Sequence, residues 1–457
     1  MDRVGPPGRL RSGLTTVPSA PLVTDDRSLR ALLDRLSTRD RYAVDTEFHR
    51  ERTYFPQVAL LQFADEDGTV LVDALSVDLA PLAGLLEGPG TAVMHAARQD
   101  LEVMERVCGT VPSRLVDTQL LAGFLGYTTP SLATLLEREL GVELPKADRL
   151  TDWMRRPLGD AQLAYAASDV AHLLELHDRL AARAAERGRT EWVAEACEEM
   201  RTEPRGPRRP EEAWRRIKEI RHLKGSSLAV AQAVAAWREQ RAIEMDLTPR
   251  FVLSDLAVVS IAGAAPKVPD DLKGLRGVDA RSIKPQVADE LLAVVASAVG
   301  TRPSRPPTTN LPEMPAELRP AVPLVSAWVS QLSRDLELET SLLATRTDLE
   351  DLLRGTPGAR LESGWRAELV GEPIRRLVEG EATLAFDRRR GLVLEERHPG
   401  GTSGRRATAR GAPGPRRGAP RARRRRRVPS GHGRRPRRRP TRPRTAAVPG
   451  RGLWRRR

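Results

Sequence analysis

At 457 residues the chain is long enough for two to four domains with sizeable cores; its two cysteines, Cys108 and Cys197, exclude a disulfide framework and a cysteine-based zinc cluster and suit a reducing compartment. There is no long apolar run of the kind that spans a membrane and no uninterrupted apolar segment near the N-terminus, so neither a membrane span nor a secretory signal is expected, and a cytoplasmic protein follows. The net charge of +14 misleads about the body: residues 401–457 hold 22 Arg and no Lys, Asp or Glu, eight more than the whole balance, so residues 1–400 stand at −8 and any grip on nucleic acid must come from local patches or metals.

Residues 1–20 contain Pro and Gly without periodicity and read as a flexible arm. Asp25 or Asp26 is placed to cap a helix through Leu29, Leu32, Leu33 and Leu36. Strands are expected at 42–46, 57–64, 69–73 and 91–95, with 57–64 apolar on both faces, as in the interior of a covered sheet. Helices follow near 97–107, 117–126, 131–140 and 160–184, which makes 21–195 an α/β domain. The segment 196–212 contains "RTEPRGPRRPEE" and reads as a linker. Residues 213–300 form short amphipathic helices broken at Gly225, Pro249, Pro266, Pro269 and Pro285. A second linker, 301–315, leads to another all-helical stretch at 316–398, which shares no repeat pattern with the first. The tail from 399 to 457 has too few apolar residues to fold and is expected to be disordered. Two origins stay open for it, a genuine RNA-binding tail or an out-of-frame extension from GC-rich DNA, and the intact mass of the native protein separates them.

The strongest chemical signal is "DTE" at 45–47, where the apolar run of a strand ends. Alternation puts Asp45 and Glu47 on one face of a strand, about 7 Å apart by Cα. Their repulsion near a core is costly unless a cation or a hydrogen-bond network compensates it. In isolation the triplet reads as a solvated turn. In the same domain, however, Asp100 lies near the start of a helix directly after a strand, and Tyr165 and Asp169 are four apart on one helical face. Each alone has an ordinary reading, as a helix-start acid or a surface pair. Together, carboxylates that converge at a sheet edge could hold divalent cations through hard oxygen ligands and run a two-metal phosphoryl displacement.

"DTEF" with "TYFP", then His95 to Asp100, then Tyr165 to Asp169, resemble the three exonuclease motifs of the DEDD superfamily in its tyrosine subclass. "DWMRRPLGDAQLAYAASDVAHLLEL" at 152–176 is similar to the ribonuclease D family in particular. The likeness continues beyond 195: "AWRRIKEIRHLKGSSLAVAQAVAAWREQRAIEMDLTPRFVLSD" resembles the HRDC domain of that family, and "SLLATRTDLEDLL" with "SGWRAELVGEPIRRLVEG" its C-terminal helical domain. The resemblance implies a ribonuclease H-like α/β exonuclease domain, a mixed sheet flanked by helices, followed by two small all-α HRDC-like domains.

It also implies two divalent ions, Mg²⁺ or Mn²⁺. Asp45 would bridge them, Glu47 and Asp169 would complete the site of the attacking water, and Asp100 would support the second ion through water. Tyr165 would orient that water, because a phenol with a pKa of about 10 stays protonated. Further nucleic-acid contacts are open against structural roles: Phe48 at a terminal base or in the core, His95 facing the site or packed at its boundary, Arg155 and Arg156 at a phosphate or paired with an acid. The same holds for Arg215, Arg216, Lys218, Arg221 and Lys224, a basic run beside Trp214 that reads equally as a solvated face. Trp153 is expected to be a packing anchor.

The expected activity is metal-dependent 3′-to-5′ exoribonucleolysis that releases 5′-mononucleotides from the 3′ ends of tRNA precursors and other small structured RNAs. A DNA exonuclease and an inactive nucleic-acid-binding protein are the alternatives, and a monomer is expected.

Overall fold

The computed structural model describes residues 20–144, 151–207, 209–279, 284–303 and 314–397. The expected N-terminal arm up to residue 19, most of the 301–315 linker and the Arg-rich tail from 399 lie outside these residues.

Six strands form one mixed sheet: β1 (Leu22–Val23), β2 (Arg41–His49), β3 (Gln57–Asp65), β4 (Gly68–Asp73), β5 (Thr91–Met94) and β6 (Leu115–Asp117). Their spatial order is β1-β4-β3-β2-β5-β6. β2 is central, antiparallel to β3 and parallel to β5. Alternation along β2 and β3 sends Tyr42, Val44, Leu61 and Phe63 into one core, shared with α1 (Asp26–Ser37) and α2 (Arg98–Cys108). Ala43, Leu60 and Ala64 face the other side, under α3 (Asp160–Ala171) and α4 (Leu173–Glu186). β3 is therefore buried on both faces, as its apolar run requires. Asp25 caps α1 by accepting from the amides of Arg27 and Ser28.

Local differences from the expected elements have local causes. β2 does not stop at residue 46 but runs to His49 through a bulge at Glu47 and Phe48, so the DTE triplet lies inside a paired strand rather than in a turn. The single helix expected over 160–184 is divided at His172, whose φ of −114° and ψ of 8° leave the helical region. β1 and β6 span two and three residues, too short to carry a periodic signal. Helix α5 (Thr190–Thr202) runs through the position read as the start of a linker at 196.

Behind the sheet domain, helices α6 (Gly225–Glu244), α7 (Asp255–Ala264) and α8 (Pro285–Ala298) enclose a core of their own with Ala213, Ile217 and Ile220. The last region departs from the all-helical expectation. It ends in a hairpin of β7 (Ala382–Asp387) and β8 (Gly391–Glu396), whose turn is held by Asp387 accepting from the amides of Arg389 and Arg390. The flanking "ATLAFD" and "GLVLEE" alternate weakly around three arginines, a strand pattern that the neighbouring helical periodicity hides.

Among the described residues this region has no separate core. Val325, Trp328, Leu342, Leu343 and Trp365 pack into one cluster with Leu121, Phe124, Leu173, Leu176 and Val193 of the sheet domain. Trp365 stacks on Trp192 with centroids 5.1 Å apart. Arg366, fully buried, donates to the Leu342 carbonyl at 2.8 Å and to Glu199 of α5 at 2.6 Å. Replacing Arg366 with Met leaves the Leu342 carbonyl without this donor and Glu199 with Arg360 as its remaining partner. We expect a loss of about 2 kcal/mol, below the usual cost of breaking a buried pair because water still reaches Glu199. The check is a lower urea midpoint at unchanged slope.

Candidate active site

The acids come from three separate elements. Asp45 and Glu47 sit on β2, where the bulge after Glu47 re-aims the strand end. Asp100 lies in the first turn of α2, buried, and accepts a hydrogen bond from the Thr46 hydroxyl. Asp169 is on α3, one turn beyond Tyr165, whose hydroxyl is hydrogen-bonded to it. Asp45 and Glu47 remain partly accessible to solvent, so the group is not sealed from water.

Electrostatics tie these side chains together. Burial, then the charges of Asp100, Asp169 and Glu47, hold the Asp45 carboxyl well above the ordinary range. Burial and the negative charges of Asp169 and Asp100 push Glu47 up to about 8. Burial raises Asp100 to about 6 and Asp169 to about 7, the latter opposed by the Tyr165 hydrogen bond. Burial and the surrounding carboxylates raise the Tyr165 phenol, so it stays protonated at neutral pH.

Among the described residues none of the four acids has an ion pair. None of the described groups of three or more acids, His or Cys stands as a ready ion cage either. The donor set nevertheless fits a divalent cation: it is all carboxylate oxygen, hard, uncompensated and open on one side. Cations would remove the cost of holding these charges together.

The other expected residues separate clearly. Arg156 is corrected to a structural role: its five donors go to Asp73, at 2.6 and 2.7 Å, and to the carbonyls of Trp153, Arg155 and Ala59. It thus braces the strands beside the β2 bulge and has no donor left for a phosphate. His95 is bonded through Nδ1 to the Thr118 hydroxyl at 3.0 Å, and burial lowers its pKa; it packs at the boundary, apart from the carboxylate couplings. Phe48 is half-buried and joins none of the hydrophobic clusters of the described residues. Arg155 is exposed. Arg215, Arg216, Lys218, Arg221 and Lys224 are all exposed, with Arg215 paired to Glu212 and Arg216 to Glu239, and none couples to the four acids.

Three supports escape sequence reasoning. Thr46 fixes Asp100 from the opposite face of β2, detectable only as the middle residue of DTE. Trp153 packs on the α3 side and lies 6.2 Å, centroid to centroid, from Tyr165, so the expected anchor also braces the phenol. The loop after β2 is gripped from the second domain: Asp246 accepts from the amides of Tyr54 and Phe55 at 3.1 and 3.0 Å, and Glu239 accepts from the Tyr54 hydroxyl at 2.7 Å. "TYFP" carried that signal only as a motif fragment.

Residues 21–184 match the sequence model of a 3′-5′ exonuclease family, and residues 227–295 match the HRDC domain. A ribonuclease D from Jannaschia sp. is 36% identical over 382 residues, covering 82% of this chain and 99% of that one. The ribonuclease D of Acidiphilium cryptum is 34% identical over 389 residues, covering 83% and 98%. Among solved structures, Escherichia coli RNase D, an exoribonuclease involved in structured RNA processing, matches with a TM-score of 0.68 at 32% identity, over 79% of this chain and 99% of its own.

The raised carboxyls give a stability signature. Glu47, Asp100 and Asp169 hold protons in the folded state up to about 8, 6 and 7, whereas in the unfolded chain they release them near their ordinary 4.5 and 3.8. Between about pH 4 and pH 8 the folded state binds more protons, so its stability must fall as pH rises. In EDTA the melting temperature is expected to drop across that window, and added Mn²⁺ is expected to recover most of the loss at pH 8. Differential scanning calorimetry at fixed ionic strength reads both; a flat profile in EDTA contradicts the electrostatics described.

Proposed function

Because the chain belongs to the ribonuclease D family of 3′-to-5′ exoribonucleases, we propose that Asp45, Glu47, Asp100, Asp169 and Tyr165 are its hydrolytic centre. The observation that carries this reading is the convergence of four carboxylates without ion pairs from β2, α2 and α3, close enough to act on one another's charge, with a protonated phenol bonded to one of them.

Two divalent cations, Mg²⁺ or Mn²⁺, would be held by Asp45, Glu47, Asp100 and Asp169, and would acidify water and neutralise charge that builds on the phosphate. The protein's own share is positioning. Tyr165 keeps its proton and donates a hydrogen bond to Asp169, which leaves the phenol oxygen free to accept from, and so orient, the attacking water. Thr46 fixes Asp100, Trp153 braces Tyr165, and Arg156 rigidifies the strands beneath. Water attacks the last phosphodiester, the bond to the 3′ oxygen of the preceding nucleotide breaks, and a 5′-mononucleotide leaves. Single-stranded 3′ termini are the substrate, because the reacting phosphodiester must reach half-buried acids that a paired duplex end would not approach.

The natural substrates are the 3′ ends of tRNA precursors and other small structured RNAs, with residues 21–195 cutting and residues 213–300 and 316–398 holding the folded body of the RNA. Phe48 and Arg155 are the contacts at the cleft, and the exposed run Arg215, Arg216, Lys218, Arg221 and Lys224 follows the backbone. The protein acts in the cytoplasm, consistent with its two free thiols, and as a monomer.

The test follows 5′-labelled and 3′-labelled single-stranded RNA with Mg²⁺ and with EDTA. A shrinking 5′-labelled ladder with 3′ label released as mononucleotide is expected, abolished by EDTA, Asp45→Ala and Asp169→Ala. Tyr165→Phe is expected to lower kcat by about 100-fold with little change in KM, the scale of a lost positioning group. Activity that survives both Asp substitutions overturns the assignment, and equal cleavage of a matched DNA oligomer overturns the RNA preference.

A further inference from the structure

Gln62 is the odd residue of β3. It is fully buried, and among the described residues neither its amide nitrogen nor its carbonyl oxygen has a hydrogen-bond partner. Its neighbours Leu60, Leu61, Phe63 and Ala64 are all apolar, and Leu71 stands opposite it on β4. Leu60 and Leu71 pack with Ala166 and Ala167 of α3, the helix that carries Tyr165 and Asp169, so the face that holds Gln62 is roofed by the catalytic helix. A leucine would fill that place at no polar cost. Buried side-chain amides without partners are rare in folded proteins, and each one needs a reason.

The reason lies one strand away. Gln62 is the direct register partner of Asp45. Residues opposite one another in an antiparallel pair project to the same face with Cβ atoms about 5 Å apart, within reach of an amide and a carboxylate. The chemistry also discriminates. A Lys or Arg beside Asp45 would neutralise the charge that a divalent cation needs, whereas a carboxamide donates a hydrogen bond and adds no charge.

Resting on the hydrolytic centre described above, we propose that Gln62 is a positioning residue for Asp45. Its NH₂ group holds one carboxylate oxygen of Asp45 so that the other is presented toward the cation site. In this arrangement the side-chain NH₂ gains its partner only when Asp45 turns to ligate, so the part of the cost carried by that NH₂ in the free protein is returned on cation binding.

This assignment gives stability and function opposite signs. Gln62→Met keeps length and removes both polar atoms, so a purely structural glutamine would leave activity alone. We expect Gln62→Met to melt in EDTA at or above the wild-type temperature, to bind Mn²⁺ about tenfold more weakly by isothermal calorimetry without RNA, and to lose about tenfold in kcat with KM for single-stranded RNA within about twofold. Gln62→Leu repeats the measurement with a different shape. Wild-type Mn²⁺ affinity and kcat in folded Gln62→Met overturn the proposal. Should neither variant fold, the wild-type protein decides: the assigned side-chain NH₂ resonances of Gln62 are expected to shift on Mg²⁺ addition, and unchanged resonances overturn it. Asp45→Asn runs in parallel. If it stays active, the hydrolytic centre itself is wrong; if it is dead while Gln62→Met behaves as wild type, only the role of Gln62 falls.

Discussion

Mutual repulsion among four clustered carboxylates is the constraint on which the rest of this molecule depends. Burial and like charge push Asp45, Glu47, Asp100 and Asp169 toward their protonated forms, and no described cation relieves them. Such a cluster opposes folding. It persists because the surrounding structure is rigid enough to hold it, and a divalent cation bound there would repay the cost. On the proposed reading the arrangement is a stored affinity for ions.

Rigidity is supplied where the repulsion acts. β2 is central in the sheet, flanked on both sides and buried by both layers, so Asp45 and Glu47 cannot separate by bending the strand. Arg156 spends every donor on Asp73, the Ala59 carbonyl at the β2–β3 irregularity and two carbonyls of its own loop. Tyr165 is held by Asp169 and by the ring of Trp153. The appended regions extend this. The HRDC-type region grips the loop that leaves β2 through Asp246 and Glu239, and the C-terminal region shares its apolar core with the helices behind the sheet. Neither is a passive appendage, since each closes contacts that the sheet domain would otherwise leave open to water.

Much of this was readable from one sequence where geometry is periodic. The apolar run of 57–64 gave a doubly covered strand because alternation leaves no polar face to solvent. Asp25 announced a helix that it does cap. The motif spacing gave the ribonuclease D family, and the relatives and the solved structure bear it out. What misled was local too. The hairpin after residue 381 lay hidden in a helical neighbourhood, and His172 divided a pattern that reads as one continuous helix.

The division has a physical basis. By itself the sequence determined that Asp45 and Glu47 share one strand face and Tyr165 and Asp169 one helix face, because those relations are fixed within a single element at a repeat of two or 3.6 residues. Only the tertiary structure decided that Arg156 serves Asp73 rather than a phosphate, that His95 turns to Thr118, that Thr46 holds Asp100, and that Gln62 lies sealed opposite Asp45. Each of these joins residues distant in the chain, and such a pairing depends on strand register and helix placement, which are set by packing of the whole core and not by any local spacing.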